Sequence, residues 1–164
     1  MRSLVGSAHV YGDNVDTDRI IPGKYTKTLD LGDLARHVLE DLDPGFSARV
    51  RDGDILVAGK NFGAGSSREQ APLAIKEAGV AAVVAKSFAR IFYRNAINIG
   101  LPVMEVGVHE IETGHELEVN LEEGLVRDLS ASKTYPATRM PEVMVRILNA
   151  GGLVNYLNKQ GNLE

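Results

Sequence analysis

Between Asp54 and Val106 the chain alternates two apolar patterns at a spacing that leaves few folds open. Asp54-Ile55-Leu56-Val57-Ala58-Gly59 is a short, nearly continuous apolar run, and Val80 to Ala85 and Leu101 to Val106 repeat it. Runs of this length, rich in Val and Ile and bounded by glycine, read as strands buried on both faces. After the first run comes a glycine-rich turn, Asn61 to Gly65, then a helix to about Ala78 that Gly79 closes as a C-terminal cap. After the second comes a helix carrying Phe88, Ile91, Phe92 and Ile99, with Ser87 placed to cap its start and Gly100 to stop it. The order β-α-β-α-β predicts parallel strands joined by right-handed crossovers.

The flanks extend this core. Leu4 to Val10 reads as a strand, followed by a turn-rich stretch, Tyr11 to Asp30, containing Gly12, Asp13, Asn14, Pro22 and Gly23. Such a long connection without structure of its own is unusual in a compact domain and is often functional. Asp30 is placed to cap a helix whose face carries Leu31, Leu34, Ala35, Val38 and Leu39, and Asp43-Pro44-Gly45 ends that unit. Further on, Glu116 to Asn120 and Gly124 to Leu129 read as strands of a hairpin, and Val143, Ile147 and Leu148 mark a helix broken at Gly151-Gly152. The expectation is an α/β fold: a single domain over residues 1–164, with a parallel β-α-β-α-β core and an appended β-hairpin region.

Composition removes several functions. There is no cysteine, so disulfides, a thiol nucleophile and thiolate ligation of an iron–sulfur cluster by these residues are excluded. His9, His37, His109 and His115 form no close metal-binding pair, and structural roles are expected for all four. A formal charge of −4 argues against nucleic-acid binding. No apolar run approaches the roughly 18 residues that span a bilayer, and the first residues lack a secretory apolar core. The cytoplasm is the expected compartment.

The turn Gly63-Ala64-Gly65-Ser66-Ser67-Arg68-Glu69-Gln70 resembles several ligand-binding turns. A dinucleotide fingerprint needs glycine where Arg68 stands, a phosphate loop needs Gly-Lys-Ser/Thr, and a hydrolase elbow needs G-x-S-x-G; none is present. What remains is two hydroxyls and a guanidinium at a helix start, where unpaired N–H groups favour anions. Arg68 can grip a carboxylate through two parallel hydrogen bonds. Pro72 lacks an N–H, so the regular helix is expected to begin late. A second reading is a capping box, Ser66 with Glu69 or Ser67 with Gln70, and from the turn alone capping is the commoner role. The two are compatible, since one serine can cap while its neighbour does chemistry.

Three blocks, taken together, resemble the swivelling domain of the aconitase superfamily: Tyr11-Gly12-Asp13-Asn14-Val15-Asp16-Thr17-Asp18-Arg19-Ile20, Gly65-Ser66-Ser67-Arg68-Glu69, and Ala85-Lys86-Ser87-Phe88-Ala89-Arg90-Ile91-Phe92. The resemblance covers most of residues 4 to 106. In its stand-alone length the chain resembles the small subunits of isopropylmalate isomerases and homoaconitases more than single-chain aconitases. It implies a swivelling β/β/α domain that closes over a large subunit. The large subunit would hold a 4Fe–4S cluster, this chain would bind no cofactor, and a hydroxy-acid substrate would be dehydrated and rehydrated between the two. By the same resemblance Ser66 is the catalytic serine, Ser67 and Arg68 contact a substrate carboxylate, and Asp18 acts beside a histidine of the large subunit. For Asp18 an Asx-turn or a pair with Arg19 is the plainer role. Ala64 departs from relatives that place a small cysteine there, which touches no catalytic assignment. Lys86 and Arg90 read as strand-end and helix-start residues.

The resemblance also points to the segment after Ile20-Ile21-Pro22-Gly23, where family members sort substrates: Lys24-Tyr25-Thr26-Lys27-Thr28. Tyr25, Thr26, Lys27 and Thr28 are therefore candidate substrate-binding residues. Lys27 leans towards an extra carboxylate and away from an isopropyl group, although its methylenes can also lie on an apolar group. Isopropylmalate is the first substrate expectation and homoaconitate, or another malate-type acid, the second. A non-catalytic module for small carboxylic acids is the alternative of a different class.

Overall fold

The computed structural model describes residues 3–28 and 30–162. Seven strands form one sheet in the order β4-β3-β2-β1-β5-β6-β7. The parallel half is β1 (Leu4–Val10), β2 (Ile55–Ala58), β3 (Ala82–Ala85) and β4 (Val103–Glu105). Every residue of β2 and β3 is buried, as continuous apolar runs require when both faces are covered. The antiparallel half is β5 (Glu116–Asn120), β6 (Leu125–Asp128) and β7 (Lys133–Pro136).

The halves meet on β1. Its later residues Ala8, His9 and Val10 pair in parallel with Ile55, Leu56 and Val57, while Leu4 to Ser7 pair antiparallel with Val119 to Glu116. The expected α/β core and hairpin are therefore present, and the core gains β1 as a fourth parallel strand. β7 is an addition that patterning did not reveal. It is mostly exposed, opens on Lys133 and closes on Pro136, the composition of a protected edge rather than of a core strand.

Among the described residues there are seven α-helices: α1 (Thr17–Ile20), α2 (Leu31–His37), α3 (Phe46–Arg49), α4 (Gln70–Glu77), α5 (Arg90–Asn98), α6 (Glu142–Asn149) and α7 (Leu153–Asn162). Successive contacts run from α2 to α4, α5, α6 and α7. Asp30 caps α2 as expected, its carboxylate accepting from the Gly32 N–H at 2.8 Å. α2 stops earlier than its apolar pattern, because Val38 turns to ψ 132° and Leu39 then takes φ +58°. Val38 and Leu39 remain buried beyond the helix end, and Leu31 is largely exposed.

The segment from Tyr11 to Asp30 is not structureless. It contains α1 and a short 3-10 turn, Gly23–Tyr25, and it buries Val15, Ile20 and Ile21. Those apolar anchors lie among turn-forming residues, where no regular period marks them. No helix among the described residues is long and apolar enough to cross a membrane.

Beyond the carboxyl ends of β1, β2 and β3 the chain continues the ladder without strand geometry. The Gly59 N–H donates to Gly12, Asn14 to Lys60, Gly63 to Val15 and Thr17 to Ala64, at 2.8 to 3.0 Å. On the other side the Phe62 N–H donates to Ser87 at 3.1 Å and Ala89 to Phe62 at 2.9 Å. These contacts set residues 12–17, 59–64 and 86–89 side by side. Gly59 makes the approach possible: a Cβ there would run into the Asp13 side chain, whose carboxylate accepts from the Lys60 N–H at 2.7 Å.

Candidate active site

The Ser66 turn rests on an aromatic base. Phe62 meets Phe92 edge-on at 5.1 Å between centroids, and Phe88 stacks parallel to Phe92 at 6.2 Å. Gly63 sits on this base with φ +85°, and a Cβ there would fall within the Phe92 side chain. Only glycine meets both conditions, so the turn is held tightly against the core.

The structure removes the capping reading of the serines. α4 begins at Gln70 with Glu69 at its N-cap, and no side chain caps it. The capping box is therefore absent. The Ser66 hydroxyl lies 3.2 Å from the Thr17 hydroxyl instead, and the Gln70 side-chain amide donates to the Thr26 carbonyl at 3.0 Å. Pro72 falls in the first turn of α4, where its missing N–H costs no intrahelical bond. Ser87 likewise does not cap α5, whose N-cap is Ala89; its hydroxyl accepts from the Asn61 N–H at 2.8 Å and ties the third segment to the turn.

Arg68 crosses from the turn to α1. Its guanidinium pairs with the Asp18 carboxylate, donates to the Ile21 carbonyl at 3.2 Å and lies against Gly23. Asp18 is 69% exposed and its partner is Arg68 rather than Arg19. The Asx role belongs to Asp16, which caps α1 by accepting from the Arg19 N–H at 2.9 Å. Ser66, Ser67, Arg68 and Asp18 are thus brought together at the carboxyl edge of the parallel strands, with both serines exposed. Crevices outside the carboxyl ends of parallel strands are where open α/β sheets bind ligands.

The neighbouring loop is pinned at several points. The Tyr25 ring stacks on His37 at 3.9 Å and 5°, and His37 Nδ1 lies 2.7 Å from Glu40 Oε2. Burial alone would raise the Glu40 pKa. Hydrogen bonds from His37 and Tyr25 and the charges of His37 and Lys24 outweigh it, so the carboxyl lies below its usual range. The Thr26 hydroxyl donates to the Gly23 carbonyl at 2.8 Å, and the Thr28 hydroxyl donates to Asp33 at 3.1 Å. Both threonine hydroxyls are thereby engaged inside the loop. Lys27 is exposed, and among the described residues its ammonium has no ion-pair partner.

The four histidines have local partners. His9 Nε2 meets Asp54 at 2.7 Å, His115 Nδ1 meets Asp128 at 2.7 Å, and His109 Nε2 lies 2.9 Å from the Ala58 carbonyl, while His37 is held by Tyr25 and Glu40. Among the described residues no group of three or more His, Cys, Asp or Glu is placed to hold a metal ion, and the chain has no cysteine. A 4Fe–4S cluster therefore does not fit this chain. A concavity of about 1060 Å³ lies elsewhere, between Leu121–Leu125 and α6.

Sequence reasoning missed Thr17, Gln70, His37 and Glu40. Gln70 was visible only as a capping residue, and Thr17 is inconspicuous between two aspartates.

A family model for the aconitase C-terminal domain matches residues 40–106. With the fold and the turn, it defines the class as an aconitase-type swivelling domain. Over 164 residues the chain is 55% identical to the 3-isopropylmalate dehydratase small subunit 1 of Methanopyrus kandleri, covering 98% of this chain and 96% of that one. It is 57% identical to the 3-isopropylmalate dehydratase small subunit of Caldicellulosiruptor bescii, covering 93% of each. A crystal structure of 3-isopropylmalate dehydratase from Methanocaldococcus jannaschii superposes with a TM-score of 0.94 at 48% identity, covering 99% of this chain and 97% of that one. The chain belongs to the family of 3-isopropylmalate dehydratase small subunits.

Proposed function

We propose that this chain, as one swivelling domain, closes over a large subunit to isomerise 2-isopropylmalate to 3-isopropylmalate through isopropylmaleate, a step of leucine biosynthesis. The observation that carries the reading is the Ser66–Arg68 turn: an exposed serine that caps nothing, beside a guanidinium held in place at the sheet edge. Identity to small subunits of that dehydratase over nearly the whole chain supports the substrate.

In this reading Arg68, Ser67 and the N–H groups at the start of α4 hold a substrate carboxylate. Ser66 accepts the proton from the carbon beside that carboxylate. The C–H electron pair forms the alkene as the C–O bond on the neighbouring carbon breaks, and the hydroxyl departs as water after taking a proton. Rehydration in the opposite sense returns the hydroxyl to the other carbon. A serine is a weak base, so the site must stabilise its alkoxide, and fixed N–H dipoles and the Arg68 charge supply that stabilisation. Asp18 serves beside a histidine of the large subunit. The 4Fe–4S cluster belongs to that subunit, where it supplies Lewis acidity towards the hydroxyl. Tyr25, Thr26, Lys27 and Thr28 border the substrate side group.

A homoaconitase-type substrate is the second reading, supported by the exposed Lys27, which suits a further carboxylate. The test is co-purification with the large subunit encoded in the same genome, followed by assays of isopropylmaleate and homoaconitate hydration. The complex is expected to hydrate isopropylmaleate, and the chain alone neither to turn over nor to bind iron. Turnover by the lone chain would end the two-subunit reading. Turnover of homoaconitate alone would transfer the assignment to the second substrate, and carboxylate binding by a complex inactive on both would leave a binding module.

A further inference from the structure

We infer that Thr17 is a positioning residue for the Ser66 hydroxyl, a role that rests on Ser66 being the proton acceptor. Thr17 is 3% exposed, and its hydroxyl lies 3.2 Å from Ser66 Oγ. Its backbone is fixed on both sides: its N–H donates to the Ala64 carbonyl at 2.8 Å, and its carbonyl accepts from the Ile21 N–H at 3.0 Å. The β-branched side chain has little χ1 freedom. Gly65 takes φ +97°, a backbone conformation that favours glycine, and passes within ordinary contact distance of Thr17 Oγ1. The Thr17 hydroxyl therefore reaches Ser66 from the protein side, while the Ser66 side chain is open to substrate.

Burial gives this contact its direction during the reaction. A buried hydroxyl keeps a hydrogen-bond partner, and Ser66 is the partner the geometry supplies. While Ser66 is neutral, either hydroxyl can donate. Once Ser66 has lost its proton it can only accept, so Thr17 must donate to it. A donor to the charged form favours that form, and O–H to O⁻ bonds are among the stronger hydrogen bonds. Thr17 thus does two things through Ser66: it fixes where the oxygen points, and it lowers the pH at which the serine can give up its proton. The charged groups around the pair are Asp16 and Asp18 on the Thr17 segment and Arg68 from the turn, and none of them is changed by substituting Thr17.

The test uses the enzyme assembled with its large subunit, comparing Thr17→Val, Thr17→Ser and Ser66→Ala. Removing a donor to a charged group predicts a kcat roughly ten- to a hundred-fold lower in Thr17→Val, with KM nearly unchanged and the rise of kcat with pH moved to higher pH. Thr17→Ser keeps the hydroxyl and is expected to restore both. Should Thr17→Val fail to assemble, Thr17→Ala against Thr17→Ser carries the same contrast. A valine or alanine variant with wild-type kcat and pH profile, beside an inactive Ser66→Ala, overturns the role of Thr17 and leaves Ser66 in place. Equal losses in the serine and valine variants overturn it too, because the hydroxyl that serine keeps then does not account for the effect. Normal turnover by Ser66→Ala overturns the reading of Ser66 itself.

Discussion

Arg68 pairs with the Asp18 carboxylate across the gap between α4 and α1, and the same guanidinium donates to the Ile21 carbonyl. The proposed grip on a substrate carboxylate is thus already occupied by an internal one. Asp18 is 69% exposed, and exposed pairs contribute only about 0–1 kcal/mol, so an incoming carboxylate can share or displace it at little cost. Asp18→Asn separates its two possible duties. If Asp18 takes part in proton transfer, kcat in the assembled enzyme is expected to fall about 10²–10⁴-fold with KM level or lower. A change in KM alone would make it a counter-ion only. Arg68→Lys keeps the charge but loses the fork, and its KM is expected to rise.

Ser66→Ala is expected to lose turnover far beyond any loss of stability. Loss of a general base typically lowers kcat about 10²–10⁴-fold. Ser66 caps nothing, so no cap is lost, but the buried Thr17 hydroxyl loses its partner, and a modest fall in melting temperature, of about 1–3 kcal/mol in stability, is expected. Melting and steady-state kinetics on the same preparations check this. An early melt with normal kcat would return Ser66 to a structural role.

What the sequence disclosed and what it withheld follow one physical line. β2 and β3 were legible because strands buried on both faces need unbroken apolar runs, and Gly79 and Gly100 because helix ends favour positive φ, which both adopt. β7 was not, because an edge strand is defined by its neighbour and its own side chains are largely exposed. The serines at 66 and 67 stood out by type, yet their local pattern favoured capping. Only the late start of α4 and the arrival of Thr17 from 49 positions away showed otherwise. Residues that depend on a partner distant in the chain, such as Gln70 on Thr26, carry no local signature at all.

Lys27 sits between two neighbours that the fold restrains, Thr26 by Gln70 and Thr28 by Asp33. Its exposed side chain is therefore presented from a defined position. Lys27→Ala is expected to lower kcat/KM for a tricarboxylate more than for isopropylmaleate, with no change in melting temperature. Equal effects on both substrates would remove Lys27 from the specificity account.

The entry to the loop that follows β1 is held by a titrating cluster, which predicts how stability follows pH. The Tyr11 hydroxyl donates to Asp43 at 2.7 Å, and Arg49 pairs with the same carboxylate. The Arg49 hydrogen bond, followed by that from Tyr11, holds the Asp43 carboxyl below its ordinary value of 3.8. A carboxyl depressed on folding stabilises the fold above its unfolded pKa, and that contribution is lost as pH falls through the folded value. Burial, followed by the Asp43 hydrogen bond and charge, raises the Tyr11 phenol well above its ordinary value of 10.0. Its contribution has the opposite sense: it is complete below the ordinary phenol range and is lost as pH rises through the shifted one. The melting temperature should therefore fall at both extremes. Asp43→Asn should flatten the acid limb below about pH 4, because the group that must take up a proton is gone. Tyr11→Phe should flatten the alkaline limb and part of the acid one. Melting curves across pH check the assignment, and an Asp43→Asn protein with the wild-type acid slope would place the acid-sensitive group elsewhere.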